Sequence, residues 1–367
     1  MLERIRILND RVLRSSFLSR LQVILGVCIF TIILSACSQT ENYLSIADQV
    51  ETQKFIETLP ESARPGEGFQ FSYFNSVHGY NIRYGSSEIK QPLGTIILVP
   101  GQSEFSESYF ELINDINDIG YSVWIMDFYG QGGSDHLLSD NARADNNFHN
   151  DVDDLSQFVN GIVKNTQESP LIILGHSMGG HIVLSAILEK KLRVDGAVLS
   201  SPMIKIKTGA IPHGITELIA SIGSALGGDW WIAPGQKEWV EKLNYNPEDN
   251  VNTSDSERSL LKESWRKHTE HTRKSYAVTF GWLKGYSESR KTILSNSQAT
   301  EITTPILMTV AGEDALVIPE DSLELCKRLI SCESIFYNNS RHELYLEKDN
   351  LRNKWMRDIF LWINRSF

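Results

Sequence analysis

The sequence has few cysteines, no excess of basic residues and no apolar run longer than a signal segment. Of its 367 residues, 35 are Lys or Arg and 46 are Asp or Glu, giving a net charge of −11. An acidic chain offers phosphates no basic surface, so we set nucleic-acid binding aside. The cysteines lack paired C-x-x-C spacing, H-E-x-x-H is absent, and no G-x-G-x-x-G loop follows a strand. We therefore predict no metal site and no cofactor.

The first 36 residues are typical of a bacterial export signal. Five arginines precede LQVILGVCIFTIIL (21–34), an uncharged run too short for a comfortable transmembrane helix. The next residues, up to Cys37, resemble a lipobox, whose cysteine receives a lipid. We expect an exported lipoprotein anchored in the membrane through Cys37, on the periplasmic side of the outer membrane in a Gram-negative host. An ordinary signal peptide or a type II anchor is the alternative.

Two further cysteines remain, apart from Cys28 in the apolar run and Cys37. Export to an oxidising compartment allows Cys326 and Cys332 to form a disulfide. Two buried free thiols are the alternative reading.

The rest of the chain alternates between strand and helix patterns. Residues 37–68 are polar and predict a tether with one short helix near 46–58, and 69–76 with 80–87 predict an antiparallel hairpin. Continuous apolar runs bounded by Gly or Pro predict strands buried on both faces at 95–101, 121–128, 170–177, 194–202, 305–312 and 334–339. Helical stretches separate them at 107–118, 150–167, 178–190, 319–330 and 348–364. We expect an α/β fold with a mostly parallel eight-stranded sheet flanked by helices.

One interval breaks this alternation and predicts a helical cap at 203–290, inserted between core segments 69–202 and 291–367. It contains no convincing strand but holds five of the eight tryptophans: Trp230, Trp231, Trp239, Trp265 and Trp282. Apolar residues recur at helical spacing from Ile211 to Leu226. We expect the inner face of that helix, including Ile215, Leu218 and Ile222, to line an acyl-chain site, and its outer face to touch the bilayer.

The motif Gly175-His176-Ser177-Met178-Gly179 lies between a buried strand and a helix. This context is typical of a nucleophile elbow, where a strained turn exposes the serine and flanking glycines allow close backbone approach. We predict Ser177 as the nucleophile.

A serine hydroxyl needs a base, and the base needs a carboxylate to orient it. Of the five histidines after the motif, only His342 follows the last predicted strand. The acid is expected after the preceding strand, where Asp314 is favoured over Glu313 and Asp321. Two backbone N–H groups should stabilise the oxyanion, one from Met178 and one from the loop containing Gln102.

These motifs resemble the lysophospholipase and monoacylglycerol lipase branch of the α/β-hydrolases, which borders on the serine aminopeptidases. The matching stretches are 100–104, 127–134, 175–180, 341–344 and 347–349. The resemblance spans about 69–367 except for the cap, and it implies the α/β-hydrolase fold, Ser177, Asp314 and His342 as catalytic triad, and Gln102 and Met178 as oxyanion donors.

The sequence departs from many relatives at Pro100-Gly101, where they have His-Gly, and at 127–130. We expect a serine hydrolase that cleaves carboxylic esters of lysophospholipid or monoacylglycerol. A proline-type aminopeptidase is the nearest alternative, since the cap holds acids that could bind an amine: Glu217, Asp229, Glu238 and Glu241. A non-catalytic binding lipoprotein on the same fold is a second alternative.

Overall fold

The computed structural model describes residues 46–136, 147–163, 169–209, 211–237, 245–269, 277–295 and 302–367. The signal segment, Cys28, Cys37, Trp239, Glu238 and Glu241 lie outside these ranges, so the lipobox stays a prediction. Within the described residues, no helix is both long and apolar enough to span a membrane. Contacts divide the chain after Glu57, and the described part of the first unit belongs to helix α1, Ile46–Thr58, where a short helix is predicted.

The described part of the second unit, Thr58–Phe367, contains one sheet of eight strands. They are β1 Gln70–Asn75, β2 Asn81–Ser87, β3 Gly94–Val99, β4 Tyr121–Met126, β5 Leu171–His176, β6 Gly196–Ser200, β7 Ile306–Ala311 and β8 Cys332–Tyr337. Their order is β1-β2-β4-β3-β5-β6-β7-β8, antiparallel at β1-β2-β4 and parallel elsewhere. The predicted mostly parallel α/β sheet is confirmed.

Helices cover both faces of the sheet, which explains why β3 to β7 are buried at every position. The flanking helices are α2 Phe110–Ile119, α3 Phe148–Gln157, α4 Met178–Leu188, α8 Pro319–Arg328 and α9 Asp349–Ser366. Helix α3 begins earlier than the apolar pattern predicts because the Asn147 side chain accepts hydrogen bonds from two N–H groups of its first turn. Its end widens into a π turn, Phe158–Ile162.

The described part of the segment between β6 and β7 contains three α-helices, one 3-10 turn at Pro247–Asp249 and no strand. The α-helices are α5 His213–Ala225, α6 Ser256–His268 and α7 Phe280–Ser295. We call this segment the cap. Helix α7 continues past residue 290, where the sequence placed the end of the cap.

The apolar stripe within α5 faces outwards, so the prediction that Ile215, Leu218 and Ile222 line the site is wrong, whereas Ile211, just before the helix, does border the cavity beside Ser177. Ile215, Leu218 and Ile222 are 50%, 59% and 52% exposed, whereas the small residues on the opposite side are buried. A Cβ at Gly223 would lie 2.4 Å from the Phe280 ring, so small residues allow α5 to pack closely on α7. Helix packing, rather than hydrophobicity, decides which face is inside.

The sulfur atoms of Cys326, in α8, and Cys332, at the start of β8, are joined as a disulfide. This is the pairing expected from the sequence. The bridge ties a helix on one face of the sheet to its edge strand.

Candidate active site

Ser177 lies between β5 and α4 at the carboxyl edge of the sheet, as the motif predicts. Its φ of 50° and ψ of −114° are strained for a residue with a side chain. The flanking glycines are required because a side chain at either position would clash with backbone. A Cβ at Gly175 would lie 2.8 Å from the Gly180 backbone, and one at Gly179 only 2.2 Å from Val99 O. The backbone therefore holds the serine in a tight, buried turn that borders the cavity above the sheet edge.

The structure brings the predicted acid and base together. His342, in the loop after β8, has its Nδ1 2.6 Å from Oδ2 of Asp314, in the loop after β7. The other carboxylate oxygen, Oδ1, accepts N–H bonds from Leu316 at 2.8 Å and Val317 at 2.9 Å. Both members of the pair are buried. This geometry suits a carboxylate that fixes the tautomer of a histidine base.

The two rivals of Asp314 lie elsewhere. Glu313 is exposed. Asp321 lies 3.4 Å from Lys205, as an ion pair. Neither contacts the histidine in the described structure.

Ser177 and His342 border the same cavity. Among the described residues, no hydrogen bond joins the serine hydroxyl to the imidazole. Such catalytic hydrogen bonds are commonly long before substrate binds and tighten in the complex.

The paired carboxylate controls the charge of the histidine. Burial alone would lower the pKa of His342, but the charge and hydrogen bond of Asp314 outweigh it and raise that pKa above its ordinary value. Burial would likewise raise the pKa of Asp314, yet His342 and two backbone N–H groups hold it below its ordinary value. Each partner therefore favours the charged form of the other.

The loop 101–104, which we call the oxyanion loop, follows β3 and lies beside Ser177. The N–H groups on either side of Gln102 donate within the fold: Gly101 to Glu104 Oε2 at 2.6 Å, and Ser103 to Gln131 Oε1 at 2.9 Å. Gln131 also donates from Nε2 to Gly101 O at 3.0 Å. The Gly101 carbonyl and the Gln102 N–H belong to the same planar trans peptide and point in opposite directions. The hydrogen bond that holds the carbonyl therefore also orients the N–H.

Met178, the second predicted donor, is the first residue of α4. The first N–H groups of a helix have no intrahelical acceptor and point out of its end. The Met178 N–H thus lies at a helix start next to the nucleophile, a position that favours a developing negative charge.

A buried network that the sequence motifs do not indicate surrounds Glu104. Its Oε1 accepts from the Tyr345 hydroxyl at 2.8 Å and from Lys262 Nζ at 3.1 Å, and its Oε2 from the Tyr109 hydroxyl. Burial would raise the pKa of Glu104, but Lys262 and His176 hold it below its ordinary value. Glu104 stands in a stretch that the family resemblance already covers. Its partners come from distant parts of the chain, so no local spacing signals them.

His176, directly before the nucleophile, is a second buried histidine beside this network. Its ring centre lies 4.8 Å from that of His342. Burial lowers the pKa of His176 to about 4, although the charge of Glu104 acts to raise it, so the ring is neutral at pH 7. A neutral ring avoids placing a second positive charge beside the base.

A cavity of about 810 Å³ opens above Ser177, between the sheet edge and the cap. Its apolar lining includes Ile206, Ile211, Val278, Leu283, Leu316 and Val317. Helix α6 adds Lys262, Glu263 and Arg266, so the roof is not purely apolar. Of the tryptophans, Trp282 lines the cavity and Trp265 packs on Phe110 instead. Trp230 and Trp231 are exposed.

In the part of the chain that the structure describes, His, Cys, Asp and Glu side chains nowhere gather in a group of three or more that could hold a metal. The chemistry that this site offers is that of the side chains and backbone around Ser177.

The sheet order, the elbow and the buried acid–base pair together define the α/β-hydrolase fold. Solved structures agree: a soluble variant of monoglyceride lipase from Saccharomyces cerevisiae superposes with a TM-score of 0.65 at 18% identity, covering 84% of this chain and 100% of that one. At this identity the likeness concerns the fold alone.

The chain belongs to the serine aminopeptidase S33 family, whose model matches residues 90–349. It is 27% identical to the probable lysophospholipase L2 of Haemophilus influenzae, over 77% of this chain and 89% of that protein. It is 25% identical to lysophospholipase L2 of Escherichia coli, over 80% and 86%. The family resemblance expected from the motifs is confirmed.

Proposed function

We propose that this chain is a serine hydrolase that cleaves the carboxylic ester of monoacyl lipids through an acyl-enzyme. The observation that carries the proposal is the buried Asp314–His342 pair, at 2.6 Å, whose histidine borders the same cavity as a serine held in a strained turn. A serine with such a base and a cavity above it is suited to acyl transfer.

The reaction follows from this arrangement. The Ser177 hydroxyl attacks the acyl carbon while His342 takes its proton, and the backbone N–H groups of Gln102 and Met178 stabilise the oxyanion. His342 then protonates the leaving alcohol, and a water molecule activated by the same histidine hydrolyses the acyl-enzyme. Asp314 stays ionised throughout and stabilises the imidazolium.

The substrate class rests on the cavity and on the relatives. Apolar side chains from the cap and from the loop after β7 line the cavity and can bury an acyl chain, at about 0.8 kcal/mol per methylene. The curated relatives quoted above are named lysophospholipases. The apolar cavity and the relatives both favour lysophospholipid or monoacylglycerol over a peptide as the substrate.

An aminopeptidase would need an uncompensated acid to bind the free amine. Glu104 and Glu343 border the cavity, but both are paired with Lys262, at 3.1 and 2.8 Å. Of the described cap acids, Glu217 pairs with Lys291 at 3.1 Å. Glu263 also borders the cavity, 4.0 Å from Arg266, so aminoacyl substrates need to be tested alongside the lipids.

The direct test is a panel of lysophospholipid, monoacylglycerol and aminoacyl amides, with native protein and Ser177→Ala. We expect ester turnover with a preference for long monoacyl chains, and loss of about 10⁶-fold in the variant. Turnover of aminoacyl amides above that of the lipids would overturn the substrate class. A Ser177→Ala protein that keeps a tenth of the activity would overturn the mechanism.

We also propose that the protein works at a membrane surface, anchored through Cys37. The exposed α5 stripe continues in Leu226, Trp230 and Trp231, which are also exposed. A helix with one apolar face and exposed tryptophans suits the interface of a bilayer, where the lipid substrates reside. The acidic charge of the chain gives no electrostatic attraction to anionic lipid, so apolar contact and the anchor supply the binding.

Vesicle sedimentation tests this surface, using protein that lacks residues 1–36 and the lipid. Leu218→Ser with Ile222→Ser should weaken binding to phosphatidylcholine vesicles and leave hydrolysis of a short soluble ester unchanged. If the double variant bound vesicles as well as the native protein, the α5 stripe would not be a bilayer-binding surface. Native protein that dimerises, with the double variant monomeric, would assign the stripe to a second copy of the chain instead.

A further inference from the structure

Three cap side chains donate hydrogen bonds to three consecutive residues of the oxyanion loop. The contacts are Trp282 Nε1 to Gln102 Oε1 at 2.8 Å, Arg266 Nη2 to Ser103 O at 2.7 Å, and Lys262 Nζ to Glu104 Oε1 at 3.1 Å. They come from two helices, α6 and α7, that are more than 150 residues away along the chain. A cap that only covered the substrate would not need to hold three of the four residues of this loop.

The contacts are shielded from water, which strengthens them. Trp282 and Arg266 are buried, and Arg266 also lies over the Phe105 ring, 5.3 Å from its centre. Burial lowers the pKa of Lys262, but Glu104 and Glu343 outweigh it and raise the pKa, so the lysine stays charged. Hydrogen bonds of charged donors in such surroundings hold their acceptors firmly.

The oxyanion loop has a conformation that needs such support. Ser103 has a φ of 61°, in the left-handed region that side-chain-bearing residues rarely adopt. Strained backbone of this kind persists only where its surroundings fix it. On the core side Gln131 holds the carbonyl of Gly101 and the N–H of Ser103. The cap side chains hold the same loop through other atoms: the side chains of Gln102 and Glu104 and the carbonyl of Ser103.

We propose that Trp282, Arg266 and Lys262 are positioning residues that keep the Gln102 N–H aimed at the oxyanion. The cap then contributes to the chemical step itself, as well as covering the substrate. This inference rests on the proposed serine mechanism. It predicts that loosening the contacts lowers kcat even for an ester too short to reach the acyl site.

A double-mutant cycle on the Trp282–Gln102 contact tests the proposal. Trp282→Phe removes the indole N–H but keeps an aromatic ring, and Gln102→Met removes the acceptor but keeps the backbone N–H. With a short soluble ester, each change should lower kcat about 10-fold, less than the 10²–10³ that loss of an oxyanion donor costs. KM should change little, and the double variant should be no worse than the worse single variant.

A second readout separates positioning from general loosening of the protein. A trifluoromethyl ketone forms a tetrahedral oxyanion on the serine, so its affinity should fall in parallel with kcat/KM, while a ground-state competitive ester analogue binds as before. The matched control is Tyr286→Phe, one turn along α7. It removes a buried hydroxyl that bonds to the backbone of Ile204 and Ile206 rather than to the oxyanion loop, and it should keep kcat.

Three results would overturn the proposal. These are an unchanged kcat in Gln102→Met, fully additive effects in the cycle, or an equal loss of kcat in Tyr286→Phe. If Trp282→Phe fails to fold, the kcat of Gln102→Met alone decides. Native protein that does not react with a fluorophosphonate would refute the serine mechanism itself. Normal labelling of the native protein together with an unchanged kcat in Gln102→Met would refute only the positioning role of the cap side chains.

Discussion

Replacing Asp314 by Asn should disable the base by reversing the tautomer of His342. Oδ1 of Asp314 accepts two backbone N–H bonds, at 2.8 and 2.9 Å. In Asp314→Asn that position must keep an acceptor, so the carbonyl oxygen stays there and the NH2 group faces His342. The amide then donates to Nδ1, which places the imidazole proton on Nε2. An Nε2–H cannot accept the proton of Ser177.

The expected loss follows from that tautomer. We expect kcat to fall about 10⁴-fold, equivalent to about 5.4 kcal/mol of transition-state stabilisation. The fold should survive because the amide has nearly the same shape as the carboxylate and keeps both backbone contacts. Thermal unfolding of the variant checks this point independently.

The pH dependence of kcat/KM is a second readout, and the structure predicts the direction in which it should shift. His342 acts as base only when neutral, and Asp314 raises its pKa. The acidic limb of kcat/KM in the native enzyme should therefore lie above the ordinary histidine value of about 6.5. In Asp314→Asn the burial that lowers this pKa remains while the carboxylate is gone, so the limb of the residual activity should move to lower pH.

The assay is hydrolysis of a short soluble ester from pH 5 to 9, with Glu313→Gln as the matched control. Glu313 is one residue away but exposed, so its change should leave the rate and the limb in place. A larger loss in Glu313→Gln than in Asp314→Asn would mean that the acid is misassigned. A limb that stays in place in Asp314→Asn would refute the electrostatic argument.

Three further predictions concern other parts of the chain. Cys37→Ser should abolish incorporation of radiolabelled fatty acid while export continues, since the apolar segment is untouched; label that persists would refute the lipobox. Reducing the Cys326–Cys332 bridge should lower the free energy of unfolding by about 2 kcal/mol, because the loop between them is short, and alkylation of both thiols without reductant would refute the bridge. Gly179→Ala should abolish activity and lower the melting temperature, because the new Cβ would lie 2.2 Å from Val99 O, whereas Gly214→Ala, with open space around it, should be neutral on a soluble ester.

The sheet and the elbow could be predicted because their signals are local. Continuous apolar runs identify β3 to β7 as strands buried on both faces, and the motif around Ser177 occupies five consecutive residues between a strand and a helix. The order of motifs along the chain then places Asp314 and His342 after the correct strands. Each of these inferences needs only a short window of sequence and a known topology.

The cap could not be predicted to the same depth. Periodicity locates an apolar stripe on α5, but it does not say whether the stripe or the small face around Gly223 packs inwards. That choice depends on Phe280 in another helix. The contacts of Lys262 with Glu104 and of Trp282 with Gln102 likewise join residues far apart in sequence, so neither pattern nor spacing reveals them.

The most direct test of the central claim is labelling with a fluorophosphonate, followed by intact-mass measurement and peptide mapping. The reagent phosphonylates a serine that an adjacent base activates, without reference to the natural substrate. We predict one adduct per chain, located on Ser177, complete loss of hydrolysis in step with labelling, and no adduct in Ser177→Ala. No adduct on folded native protein, or an adduct on another residue with Ser177 unmodified, would contradict the account.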